Sequence, residues 1–209
     1  MATPSSLRER KKRQTRELIA STAFRLFAER GFDQVTVAEI ARQSDVSAAT
    51  VFNYFPTKED LIYSGFEEFQ RELVLAIRDR PDGTTLLEAF REYVLRPTGL
   101  LGKRTKEENE AVEASSRIIH GSGALLARER EVYDDVTRVL AEVIRKERGA
   151  KLDDIAPWTL ANAMLGIHRA LVEYVRRQAL ERGITRQLPA RLRAQAEEAV
   201  EALRTLEGT

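Results

Sequence analysis

The chain has 209 residues, 43% of them hydrophobic and 32% charged, enough apolar material to close a core and too much for a disordered polymer. Lys and Arg (34) almost balance Asp and Glu (33), so the net charge of +1 excludes a uniformly basic nucleic-acid coat and an acidic tail. Cysteine is absent, which excludes disulfides, thiolate zinc clusters and a thiol nucleophile and fits a reducing compartment.

Apolar positions recur at helical spacing, and strand-like alternation never persists. This pattern predicts an all-α chain of about nine helices. The first runs from about Ser6 to Arg30, with Ile19, Ala23, Phe24, Leu26 and Phe27 on one stripe and Gly31 placed to end it. Its start is basic: Arg8, Arg10, Lys11, Lys12, Arg13 and Arg16 face one anion, Glu9, so positive charge concentrates at the N-terminus. Thr36-Val37-Ala38-Glu39 has the spacing of a capping box and opens a second helix to about Gln43. Ser44-Asp45-Val46 then turns, and Ser47 caps a third helix over about Ala48 to Phe55, closed by Pro56.

Thr57, with Asp60 three residues on, starts a fourth helix, expected as a connector over about 57–79. Five further helices are expected at 86–101 with a kink at Pro97, 106–120, 124–148, 155–182 and 189–206. The intervening breaks are Lys103 to Thr105, Gly121-Ser122-Gly123, Gly149 and Gly183 to Pro189.

Helix, short turn and helix between Thr36 and Phe55 is the arrangement of a helix-turn-helix. Val51 and Phe55 lie one turn apart and face inward with Val46, whereas Ser47, Ala48, Thr50, Asn53 and Tyr54 can point away. Short outward side chains let a helix lie close to base edges. Ala and the Thr methyl can touch a thymine methyl, and Asn can pair with adenine. Singly, Thr36 and Ser47 read first as helix caps, and Thr50 and Asn53 as solvated residues. Their joint placement beside a basic segment and before Lys58 favours nucleic acid.

Gly31-Phe32, Thr36 to Ala41, Val46-Ser47, Thr50 to Phe55 and Lys58 to Leu61 resemble the DNA-binding domain of tetracycline-repressor-type (TetR family) regulators over about residues 14–62. The resemblance implies an N-terminal arm and helix-turn-helix domain at 1–56, and a helical ligand-binding and dimerisation domain at 57–209. It further implies a cytoplasmic bacterial regulator, a ligand-responsive repressor that binds a palindromic DNA operator as a homodimer. Carried over by position, Thr36 and Ser47 match phosphate-contacting hydroxyls, Ala48, Ala49, Thr50 and Asn53 groove-facing residues, and Tyr54 and Lys58 phosphate clamps. Arg13 and Arg16 in the basic arm would add affinity. Asp45 stands where the family often has Gly, and Asn53-Tyr54 where it more often has Tyr-His.

The family places its effector pocket in the helices after the fourth. Phe69, Tyr93, Ile118, Ile119, Tyr133, Trp158, Met164 and Ile167 offer apolar walls, although each residue alone reads first as helical core. Arg117, His120, Asn162 and His168 are polar groups among apolar neighbours that could orient a ligand. Neither His has metal-ligand spacing with the other, so no metal and no cofactor is expected beyond a small-molecule effector. The segment Ser115 to Glu131 is the expected movable link. Ala161, Ala163, Leu165, Gly166, Ala170, Leu171, Tyr174 and Ala179, with Ala194, Ala196, Ala199, Val200, Leu203 and Leu206, form the stripes that in the family pair as a dimer bundle through about 155–182 and 189–206.

An all-α enzyme is the competing class. It lacks support from any nucleophile elbow, phosphate-binding glycine loop or zinc-protease motif. A protein-binding adaptor would leave the basic start and Lys58 incidental. No apolar run reaches the ~20 residues of a membrane helix, and Met1 to Ser6 leads into Arg and Lys without an apolar segment, so neither a membrane span nor a signal peptide is expected.

Overall fold

The computed structural model describes residues 7–102 and 104–207, with side chains placed as far as Arg204. Ser6 and Lys103, expected in the first helix and in a break, and the side chain of Leu206 lie outside the described residues. Nine α-helices occur among the described residues: α1 Leu7–Arg30, α2 Val37–Gln43, α3 Ala48–Tyr54, α4 Phe66–Arg78, α5 Leu86–Leu95, α6 Lys106–His120, α7 Gly123–Arg148, α8 Ala156–Glu181 and α9 Leu188–Glu207. They belong to two compact bodies. One comprises residues 7–65 with 117–129, and the other residues 66–116 with 130–207. This division lies after residue 65 and groups the α6–α7 corner with the N-terminal helices.

The first body is built on α1. Ile19, Thr22, Ala23, Leu26 and Phe27 bury one stripe at spacings of three and four, while the basic first turns are exposed. Gly31 ends the helix at φ 82, its amide returning to the Phe27 carbonyl at 2.8 Å. Thr36 caps α2 by accepting the Glu39 amide at 3.2 Å. The Glu39 carboxylate is drawn mainly to Arg30 (2.7 Å) and Arg42 (3.9 Å), and the Arg30 hydrogen bond holds its pKa below the ordinary carboxylate value. The turn into α3 needs one left-handed residue, and Asp45 supplies it at φ 52. The next amide, of Val46, then closes on Ala41 at 3.0 Å.

Residues 57–65 depart from the expected connector helix. Thr57 and Asp60 cap each other reciprocally at 2.9 and 3.3 Å, but around a 3-10 turn, Glu59–Leu61. Tertiary bonds then take over from helical ones. The Tyr63 hydroxyl donates to the Leu125 carbonyl at 2.8 Å, and Arg128 reaches Asp60 at 2.9 Å. Gly65 follows, with the low helix propensity of that residue, and α4 starts only at Phe66. Leu125 is fully buried, and Ser122 reaches Asp33 at 3.4 Å, so the α6–α7 corner is tied into this body.

In the second body α5 packs against α4 and α9, and α8 packs against α9. A complete capping box at Thr85 and Glu88 starts α5. The helix stops at Leu95 instead of kinking through Pro97, because a residue before proline avoids the helical region, and Arg96 takes ψ 143. A 3-10 turn, Gly99–Leu101, follows. Arg193 donates to the freed Leu95 carbonyl at 2.6 Å, and Glu113 accepts the Ile184 amide at 2.8 Å. Leu73, Ile77, Phe90, Leu140, Ile144, Met164, Leu192 and Ala196 form the fully enclosed centre. Much of the small-residue stripe is used here: Ala161, Leu165, Leu171, Ala179, Ala196 and Val200 are buried within the chain, while Gly166, Ala170 and Ala194 remain exposed.

Two neighbouring phenylalanines test this packing. Phe55→Ala, at a site 1% exposed, should cost about 3–5 kcal/mol in urea unfolding, and Phe52→Ala, 48% exposed, less than about 0.5 kcal/mol.

Candidate nucleic-acid interface

α3 is seven residues long, too short to persist alone, and is held by its cap and its inner side. Ser47 Oγ accepts the Thr50 amide at 3.0 Å and shares a second hydrogen bond with Thr50 Oγ1 at 2.8 Å. Val51 and Phe55 are buried behind it, and Val46 is half-buried. Ala48, Ala49 and Asn53 face solvent, whereas Thr50 and Tyr54 are half-buried. The structure thus presents the expected outward set on one short helix. It adds Phe52, which does not stand out in the sequence among the other aromatic residues. The signal was present, since Phe52 lies four residues from Ala48 and off the Val51–Phe55 stripe.

Two cations expected to hold phosphate have their charged heads turned to the protein. Lys58 Nζ donates to the Phe32 carbonyl at 2.7 Å and lies 4.1 Å over the Phe32 ring, and its burial lowers the ammonium pKa. Arg16 lies 4.7 Å over Phe55 and donates to the Ser64 carbonyl at 3.2 Å. Both brace the chain around the C-terminal end of α3. Arg13 is exposed with a long contact to Glu17 at 3.7 Å, and Arg42 on α2 is 77% exposed in its side chain. Thr36 is also exposed, and its cap uses the hydroxyl as acceptor, leaving the O–H proton free to donate outward.

The candidate effector residues separate into two groups. Phe69 stacks on His168 at 4.2 Å between centroids and lies 6.2 Å from Tyr93, and the Tyr133 hydroxyl meets His168 Nδ1 at 3.0 Å. Phe66, missed from sequence, joins edge-on to Phe69 and Tyr133 at 5.2 and 5.1 Å. Its place three residues before Phe69 was the available signal. Burial pushes the Tyr93 phenol up to about 12 and His168 down to about 4, Arg96 adding to the latter shift.

Arg117, His120, Trp158 and Asn162 do not join this cluster. Arg117 and His120 are exposed and belong to the first body. Trp158 is 47% exposed, and Asn162, also exposed, donates to the Trp158 carbonyl at 2.9 Å. Of the apolar wall, Ile118 and Ile119 also lie in the first body, Met164 is central core and Ile167 is half-buried. Helical spacing alone could not separate an inner face from an outer one where both carry mixed residues.

A cap-held short helix with a groove-sized outward face, behind a left-handed turn and beside a basic helix, defines a helix-turn-helix DNA-binding transcriptional regulator. Similarity to known proteins agrees. The sequence model for bacterial regulatory proteins of the tetR family matches residues 19–63, and that of the MftR C-terminal domain matches residues 84–204, more than half of the chain. The chain belongs to the TetR family of transcriptional regulators.

It is 29% identical to the transcriptional regulator TcmR of Streptomyces glaucescens, over 71% of this chain and 66% of that protein, just under two thirds of its length. It is 27% identical to MftR of Mycobacterium tuberculosis, named as a mycofactocin biosynthesis transcriptional regulator, over 79% of this chain and 81% of that one. A TetR-family regulator from Mesorhizobium loti shares the fold at TM-score 0.56 and 18% identity, covering 92% of this chain and 96% of that one. GusR of Salmonella enterica does so at TM-score 0.50 and 20% identity, covering 90% and 96%. No described helix is long and apolar enough to cross a membrane, and no three described acidic or His side chains group to hold a metal.

The His168 environment predicts a pH dependence. A folded pKa of about 4 against an ordinary 6.5 means that stability is fully present above pH 6.5 and is lost as pH falls toward 4. Acidification across that window should cost the wild type about 2 kcal/mol more than His168→Gln, read from urea unfolding at each pH.

Proposed function

We propose that this regulator is a ligand-responsive repressor that binds a palindromic operator as a homodimer, with α3 of each subunit in successive major grooves. The observation that carries the reading is α3 itself. Its inner side is buried, its N-terminus is capped, and its exposed side carries only short or uncharged side chains that permit close approach to base edges. Ala48, Ala49, Thr50 and Asn53 face the bases, and Thr36, Ser47 and Tyr54 contact phosphate. Arg13 adds charge from the arm, while Arg16 and Lys58 act chiefly by bracing the turn that follows α3. The N-terminal helices form the DNA-binding domain and the chain after them the effector and dimer domain.

Dimerisation runs through α8 and α9, where Gly166, Ala170 and Ala194 remain exposed after the protomer's own packing. The effector site centres on Phe69, Tyr93, Tyr133 and His168, a cluster apolar in its walls with a neutral imidazole and two phenols as polar groups. An effector releases DNA only by binding the DNA-incompetent state more tightly. The relatives named as transcriptional regulators support regulation rather than catalysis.

Selection of bound fragments from random duplex DNA should return an inverted repeat whose half-site centres lie about 34–36 Å apart, or a multiple of that spacing. Fragments without two-fold symmetry would contradict the dimeric reading. Arg13→Ala should weaken binding alike on all sequences and lower the slope of log affinity against log salt by about one for each phosphate that Arg13 neutralises. An unchanged slope would remove Arg13 from the interface.

A further inference from the structure

The outward face of α3 carries an aromatic ring with no assigned role. Phe52 is 48% exposed, between the buried Val51 and the exposed Asn53. Spacings of three and four place it over Ala48 and Ala49, both exposed, so the three form one apolar strip with the Asn53 amide beside it. The sequence of α3, Ala-Ala-Thr-Val-Phe-Asn-Tyr, contains no charged residue.

That composition limits which bases the helix can read. Guanine is recognised most often by Arg or Lys, bidentate on O6 and N7, and cytosine by a carboxylate accepting from N4. α3 has neither group. What it has is an amide, suited to N6 and N7 of adenine, apolar surface, suited to the C5 methyl of thymine, and the half-buried hydroxyls of Thr50 and Tyr54. A phenyl ring cannot donate to phosphate, so Phe52 adds nothing to backbone recognition by hydrogen bonding.

We propose that Phe52 is a specificity-determining residue that packs on a thymine methyl in each operator half-site, with Ala48 and Ala49 permitting the approach and Asn53 pairing a nearby adenine. The inference rests on the proposed entry of α3 into the major groove. It makes the base pair under Phe52 an A·T pair of defined strand orientation, read through a methyl group rather than by arginine.

The test starts from the duplex recovered by selection. Each half-site thymine is replaced in turn by uracil, which removes only the C5 methyl, and affinity is measured by fluorescence anisotropy at constant salt for the wild type and for Phe52→Ala. The expected result is one thymine per half-site whose replacement weakens the wild type about fourfold, the worth of one buried methyl group, and leaves Phe52→Ala unaffected. Wild-type binding that tolerates uracil at every position overturns the proposal and leaves α3 in the groove. So does a uracil effect that Phe52→Ala retains in full, which would place the ring on sugar instead. If selection returns no preferred duplex, the underlying reading falls, and the proposal falls with it.

Discussion

Burial of Val51 and Phe55 is the constraint on which the DNA-facing half of this protein depends. A seven-residue helix has too few internal hydrogen bonds to hold itself, so α3 exists because its inner side is packed and its first turn is capped by Ser47. Fixing the inner side fixes the outer one, since residues on a helix are related by 100° steps. The orientation of Ala48, Ala49, Phe52 and Asn53 toward solvent is therefore a consequence of core packing. The two cations nearest this packing reinforce it. Arg16 on the Phe55 ring and Lys58 on the Phe32 carbonyl and ring join α1 and the loop before α2 to the segment after α3.

Local rules made much of this legible. Thr36 and Ser47 were readable as helix starts because a cap involves only neighbours in sequence, and each accepts the amide three residues on. The turn at Ser44-Asp45-Val46 was legible for the same short-range reason, and Asp45 makes it at positive φ. The errors lie where distant partners decide. The expected connector over 57–79 is interrupted because Tyr63 and Asp60 bond to Leu125 and Arg128 some sixty residues away, and no spacing within 57–79 encodes that. For Arg16 and Lys58 the sequence shows the charge but not the carbonyls and rings that their side chains meet.

The second body repeats the lesson. Its stripe of Ala and Leu reads as close helix approach, but much of it serves the chain's own core. Gly166, Ala170 and Ala194 are the members of that stripe that stay exposed. The ring cluster of Phe66, Phe69, Tyr93, Tyr133 and His168 draws on four helices, so its members were nameable singly and not as a group. Arg117, His120, Trp158 and Asn162 shared the same helical patterning and face solvent instead.

The absence of native cysteine allows a single reporter to test where α3 goes. An iron chelate tethered at Ala49→Cys cleaves only the DNA near it. The account predicts two clusters of cuts on the operator, one in each half-site and about 10–10.5 base pairs, or a multiple, apart. Cuts scattered evenly along the duplex would contradict it.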